Sequence, residues 1–114
     1  MDNCIFCKII NRELPSTIQY EDDRVMAFND INQEAPIHVL IVPKVHIQSV
    51  NDIDETNADY LKDIHLAAKK IAQKLGVSEK GYRLINNCGE SAGQTVPHLH
   101  YHLLAGVDMG TKLI

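Results

Sequence analysis

Residues 96–104 read Val-Pro-His-Leu-His-Tyr-His-Leu-Leu, a strict alternation of histidine with apolar side chains. A period of two belongs to a β-strand. The run therefore predicts a strand over 98–104, with His98, His100 and His102 on one face and Leu99, Tyr101 and Leu103 on the other. The apolar face asks for a core and the imidazole face for a working surface. At ~3.3 Å per residue the three rings span roughly 13 Å, too far for a straight strand to bring all of them to one metal ion. The pattern predicts a chemical platform, one imidazole with a neighbour on either side.

A strand of this kind needs a sheet, and the rest of the chain supplies one. Residues 37–42 (Ile-His-Val-Leu-Ile-Val) predict a central, buried strand stopped by Pro43. Residues 17–21 and 24–29 predict a hairpin about Asp22-Asp23, and 82–86 a further strand. Residues 4–10 make a short amphipathic opening ended by Pro15; as a helix it sets Cys4 and Cys7 on one face and clusters Ile5, Phe6 and Ile9. One long helix is predicted over 52–75, with an apolar stripe of Leu61, Ile64, Ala68, Ile71, Ala72 and Leu75. Its start is acidic (Asp52, Asp54, Glu55, Asp59), its end basic (Lys69, Lys70, Lys74), and Gly76 suits the position just past it. The order predicts an α+β domain spanning 1–114, helices packed on an antiparallel sheet, with a patternless tail from 106.

With 45% hydrophobic residues, no Trp and two Phe, the core must be mostly aliphatic. A net charge of −4 and the lack of a basic run argue against a nucleic-acid partner. No stretch is apolar enough for a membrane span, and Met1-Asp2-Asn3-Cys4 does not read as a secretion signal. Three cysteines do not make a disulfide framework, so the expected setting is the reducing cytoplasm.

The chemistry concentrates around the platform. Residues 87–95 form a small polar loop in which Gly89 and Gly93 let backbone N–H groups approach a ligand, while Gln94 and Thr95 add side-chain hydrogen bonds. Three imidazoles beside such a loop suggest nucleotidyl or phosphoryl transfer. No Walker-type loop, dinucleotide fingerprint or serine elbow is present. His38 reads equally as a core histidine bonded to backbone or as a proton relay to the platform. His46, just past Pro43, is loop or ligand, and His65 on the long helix is structural or surface. Cys4-x-x-Cys7 fits a zinc half-site completed by two histidines better than a redox pair, with free thiols as the plain alternative.

These residues resemble a known family. His98-Leu99-His100-Tyr101-His102-Leu103-Leu104 matches the signature of the histidine triad nucleotide-binding superfamily. Further matches run from Cys4-Ile5-Phe6-Cys7 through Ala27-Phe28-Asn29-Asp30-Ile31, Pro36-Ile37-His38 and His46 to Gly93-Gln94-Thr95-Val96, covering roughly residues 4–106. The chain looks most like the Hint-type branch, homodimeric purine-nucleotide phosphoramidate hydrolases. The resemblance implies an antiparallel sheet of about five strands with one short and one long helix, continuous across a dimer.

By position, the resemblance makes His100 the nucleophile that attacks the α-phosphorus and forms a nucleotidyl-histidine, with the His98 carbonyl holding its other ring N–H. It sets His102 on the phosphate and leaving group, with His38 beside it in proton transfer. Asn87, Gln94 and Thr95 would bind phosphate, Asp30 the ribose hydroxyls, and Ile5, Phe6, Ile9, Phe28 and Ile31 the base, by shape more than by hydrogen bonds. Related members bind a structural zinc through positions matching Cys4, Cys7, His46 and His98. Thr95 stands where the family usually has Ser, and His102 separates the chain from the uridylyltransferases, which carry Gln there. The tail lacks the branch's usual aromatic element, which leaves the leaving group open, and the resemblance assigns no role to Cys88. The competing readings are a dinucleoside polyphosphate hydrolase and a non-catalytic nucleotide-binding regulator.

Overall fold

The computed structural model describes residues 3–114. The chain runs α1 (Ile5–Ile10), β1 (Ile18–Glu21), β2 (Val25–Asn29), β3 (Ile37–Pro43), α2 (Asp59–Lys74), β4 (Arg83–Ile85) and β5 (Tyr101–Ala105). The five strands form one sheet in the order β1-β2-β3-β5-β4, and every neighbouring pair is antiparallel. The α+β class and the five-strand antiparallel sheet with two helices are as expected.

Alternation along the central strands divides the interior in two. Val25, Ala27, Val39, Ile41, Leu103 and Ala105 face α2, which returns Ile64, Ala67, Ala68 and Ile71. Met26, Phe28, Leu40 and Val42 face the other way and pack under α1, against Cys4 and Phe6. On β3, His38 shares the α1 face with Leu40 and Val42. Because Leu40 pairs with His102 across β3 and β5, the two histidines are diagonal neighbours on that face.

Element ends differ from expectation for local reasons. The histidine strand begins at Tyr101 rather than at residue 98. Continuing the register that pairs Ile41 with Tyr101 would set Leu99 against Pro43, which has no N–H to give; Leu99 instead bonds Ile47 O at 2.6 Å. His98 and His100 therefore sit on a bent approach, although Leu99 still faces the α2 core. The long helix starts at Asp59, not residue 52. Asp52 reciprocates with Ser49 in a capping box around a short 3₁₀ turn, and Asp54 accepts from Thr56 N while Asn57 accepts from Asp54 N. Those side chains compete with the helix for backbone partners and delay it. Its far end closes as expected: Gly76, at φ +75°, bonds Gln73 O, and Val77 N reaches Ala72 O. The opening helix stops before Pro15, because Arg12 takes a left-handed φ of +66° and Glu13 N bonds Lys8 O. The strand expected over 82–86 is held to Arg83–Ile85, the three residues that pair with β5.

Among the described residues no helix is long and apolar enough to cross a membrane.

Candidate functional site

A cavity of about 560 Å³ opens on the α1 face of the sheet. Ile5, Phe6, Ile9, Phe28 and Ile31 supply an apolar wall; Asp30, His38, Thr95, His100 and His102 supply the polar part. Residues from α1, from the ends of β2 and β3 and from the segment entering β5 thus meet at one place. A larger hollow of about 840 Å³ between 77–83 and 106–110 is lined by no histidine or cysteine and lies apart from this chemistry.

The hydrogen bonds determine which nitrogen of each ring carries its proton. His100 Nδ1 lies 2.7 Å from the His98 carbonyl. A carbonyl only accepts, so Nδ1 bears the hydrogen and Nε2 keeps its lone pair. The carbonyl of His100 itself accepts from Asn86 Nδ2 at 3.0 Å, which pins the segment to the end of β4. Phe6 packs edge-to-face on the His100 ring, with centroids 5.0 Å apart, and fixes its plane. Burial pulls the His100 pKa below the ordinary imidazole value, against the His98 carbonyl and Asp30. His102 is pushed down to about 4 by burial, then by His100 and His38, with Asp30 opposing. Near neutral pH both rings are neutral, the state in which one nitrogen can attack and another can donate. His38 Nε2 lies 2.8 Å from His102 Nδ1, and its Nδ1 accepts from Glu34 N at 3.0 Å.

Beneath this cavity lies a second cluster. Ligand atoms of Cys4, Cys7, His46 and His98 all fall within 4.8 Å of one another. Cys4 Sγ and His98 Nδ1 are 3.3 Å apart, Cys7 Sγ and His46 Nδ1 3.3 Å, and Cys7 Sγ and His98 Nδ1 3.5 Å. Tetrahedral zinc with ordinary Zn–S and Zn–N bonds needs edges of roughly 3.3–3.8 Å, so the set fits with little movement. The His98 tautomer fits too. Its Nε2 donates to Pro43 O at 3.0 Å, which leaves the Nδ1 lone pair aimed at the cysteines. Burial, His46 and His100 press the His98 pKa down to about 4 against the pull of Pro43 O, and a neutral imidazole is the ligating form. Burial and the neighbouring Cys4 push the Cys7 thiol up to about 11, a proton that a bound cation would displace. Of the alternatives open for the cysteine pair, this geometry favours a metal site over a redox pair or free thiols.

The polar loop behaves differently from expectation. Gly89 N is taken by Gln94 Oε1 at 2.9 Å, and Gly93 N by Glu90 O at 3.0 Å, so neither N–H points at a ligand. Gln94 Nε2 donates to Gln48 O and Val96 O at 2.8 and 3.1 Å, which makes this side chain a latch on the loop. Gln94 and Asn87 are not among the cavity-lining residues, whereas Thr95 is. His65 is exposed and packs edge-on against Tyr101. Sequence reasoning missed Asn86, the Glu34 N–H and the Pro43 carbonyl. The last two are main-chain groups, and a lone Asn at a strand end carries no pattern to mark it.

Comparison with known proteins bears on the same residues. Residues 11–109 match the HIT domain family. A protein of Escherichia coli K12 named purine nucleoside phosphoramidase is 46% identical over 112 residues, 98% of this chain and 94% of that protein. A HIT family hydrolase from Clostridium thermocellum superposes with a TM-score of 0.98 at 67% identity, covering 100% of this chain and 99% of the other. A histidine triad protein from Clostridium difficile gives 0.94 at 53% identity, with 99% and 97% covered. Similarity along nearly the whole length, on a sheet that sets three histidines around a cavity, is that of a relative: the chain belongs to the HIT family.

Proposed function

We propose that the chain is a nucleotide hydrolase that cleaves the P–N bond of purine nucleoside 5′-phosphoramidates through a covalent intermediate on His100. The observation that carries this is the His100 ring: Nδ1 tied to the His98 carbonyl at 2.7 Å, Nε2 free at a cavity wall. The name of the Escherichia coli relative supports the substrate class.

The purine lies between Ile5, Phe6, Ile9, Phe28 and Ile31. Ile5 is 51% and Ile31 94% exposed, so apolar area stands open at the mouth for a base to cover. Such a wall reads shape, and selectivity among purines is modest. Asp30 accepts the ribose hydroxyls, and Thr95, His100 and His102 meet the phosphate. His100 Nε2 attacks the α-phosphorus. The P–N bond breaks, and its electron pair leaves with the amine, which takes a proton from His102 Nε2. Water then attacks the same phosphorus and gives its proton back to His102; the P–Nε2 bond breaks and nucleoside monophosphate departs. Asn87 and Gln94 act one step back, by shaping the loop that carries Thr95.

Cys4, Cys7, His46 and His98 hold a structural zinc ion, which when bound cross-links α1 to the segment entering β5. The edge strand β4, whose three residues are half-buried, is where a homodimer would continue the sheet. The setting we infer is the cytoplasm, where such thiols stay reduced.

The test is release of AMP from adenosine 5′-phosphoramidate by wild type and by His100→Ala, with a dinucleoside polyphosphate assayed in parallel. Turnover that collapses by about 10³-fold or more in the variant is expected. Equal, near-background rates refute the hydrolase reading, and a preference for the dinucleotide refutes the substrate class.

A further inference from the structure

His38, His102 and Asp30 bring three ligand-type atoms within 4.8 Å of one another, an arrangement that looks like a two-histidine, one-carboxylate metal site. Its hydrogen bonds say otherwise. Glu34 N, which can only donate, lies 3.0 Å from His38 Nδ1, so that nitrogen is a lone pair and the proton of the neutral ring sits on Nε2. Asp30 Oδ2 lies 3.4 Å from the same Nε2 and favours a hydrogen there. Asp30 is held in that aim, because Oδ1 accepts from Asn32 N at 2.9 Å and its own N–H bonds His38 O at 3.0 Å. A cation at Nε2 would need that nitrogen's lone pair. The ring would then turn an N–H against the Glu34 N–H.

We propose that the Glu34 main-chain N–H and the Asp30 carboxylate together lock His38 as the Nε2–H tautomer, and that this lock directs the proton of His102 outward. With His38 Nε2–H donating across 2.8 Å, His102 must accept at Nδ1. Its single hydrogen is thereby forced onto Nε2, the nitrogen left for the cavity that His102 lines. The reverse chain, His102 Nδ1–H to His38 Nε2, fails twice: it brings two hydrogens together at Glu34 and aims a lone pair at an anion. His38 is thus a positioning residue, and Asp30 has a task besides holding ribose. This inference rests on the hydrolase reading for what the His102 proton does, and on the hydrogen bonds alone for where it sits.

Two measurements test it. Long-range ¹H–¹⁵N spectra of the imidazoles in the wild-type protein at pH 7 are expected to show His38 and His102 both protonated at Nε2; His38 protonated at Nδ1 overturns the lock. The second is Asp30→Asn assayed on 2′,3′-dideoxyadenosine 5′-phosphoramidate, which has no ribose hydroxyls to lose. The amide keeps the carboxylate's shape but can offer His38 a donor, so kcat is expected to fall by about tenfold while thermal stability holds, the loss of a well-aimed general acid. An unchanged kcat on this substrate restricts Asp30 to ribose and overturns its part. Failure of the two readings is separable. Absence of wild-type turnover refutes the hydrolase and with it the delivery of this proton, whereas a wrong tautomer refutes the lock even in a fast enzyme.

Discussion

Phe6→Ala tests whether α1 is the wall on which the site is built. Phe6 is 5% exposed; its ring meets Phe28 at 5.5 Å, His98 at 5.9 Å and His100 at 5.0 Å, all edge-to-face. Truncating a buried Phe costs about 3–5 kcal/mol, including the lost aromatic edges. Here one side of the ring already borders the cavity, so the neighbours can settle inward and the low end applies, about 3 kcal/mol. A six-residue helix has no stability of its own, so the loss falls first on the docking of α1. About 3 kcal/mol corresponds to a rise of roughly two decades in local opening, read as faster amide exchange over 5–10. Affinity for AMP, measured by titration calorimetry, should fall at least about tenfold, because the base loses one wall. The loss should deepen with a chelator present, since α1 is then released at the cysteines as well as at Phe6. A change below about 1 kcal/mol with unaltered AMP affinity would refute this account of α1.

A chelator, or Cys4→Ser with Cys7→Ser, should remove about one equivalent of zinc by elemental analysis and lower the melting temperature by several degrees. Asn86→Ala removes the donor to the His100 carbonyl at 3.0 Å and is expected to lower kcat more than it raises KM in steady-state assays. Gly106→Ala should cost about 1–3 kcal/mol in urea unfolding, because φ is +91° and a Cβ there would lie 3.1 Å from Pro36 Cβ. Acid should destabilise the fold through His102. Its folded pKa is about 4 against 6.5 unfolded, so the unfolded chain binds the extra proton and stability drops as pH falls from about 6.5 to about 4, then levels. The contribution is at most about 3 kcal/mol; burial holds His98 near 4 as well, so His102→Gln should make that slope shallower in urea titrations without abolishing it.

How far the sequence could be read depended on whether a feature was periodic. The alternation at 98–104 and the stripe on α2 each repeat a spacing and keep their faces, with Leu99 and Leu103 in the α2 core; the aliphatic run at 37–42 lies in the central strand β3, and the alternation pairs as strand only from Tyr101. Element ends fail that test. Asp52 and Asp54 read as helix-start charges but act as local acceptors, and Pro43 shortens a strand 56 residues away through a register the chain does not announce. The candidate site divides in the same way. Of the side chains that line the cavity, Thr95 was marked by its place in the polar loop before the histidines and Phe6 only by the family resemblance, while Leu14, Ser16 and Leu40 were not marked at all. The groups that choose tautomers, the carbonyls of His98 and Pro43 and the N–H of Glu34, are main chain and identical in every residue; only His98 O could be expected, and only through the family resemblance. Gln94 shows the converse: a polar side chain next to a site reads as a ligand contact until its partners, Gly89 N, Gln48 O and Val96 O, are known.

His98 explains why the two clusters share one short segment. Its Nδ1 faces Cys4 and Cys7, its Nε2–H holds Pro43 O, and its carbonyl holds the His100 Nδ1–H. The first two bonds fix the ring, and a fixed ring two residues from His100 limits how the intervening backbone can rotate. The carbonyl is therefore aimed by the same contacts that would bind the metal. Straightening residues 98–100 into the sheet would break this. In a regular strand the His98 carbonyl would lie in the sheet plane, directed at a neighbouring strand and not at its own chain's ring two residues on. Pro43, by denying Leu99 a strand partner, bends the approach and frees that carbonyl. The departure from the strand that the alternation calls for is what gives the His100 ring a defined tautomer.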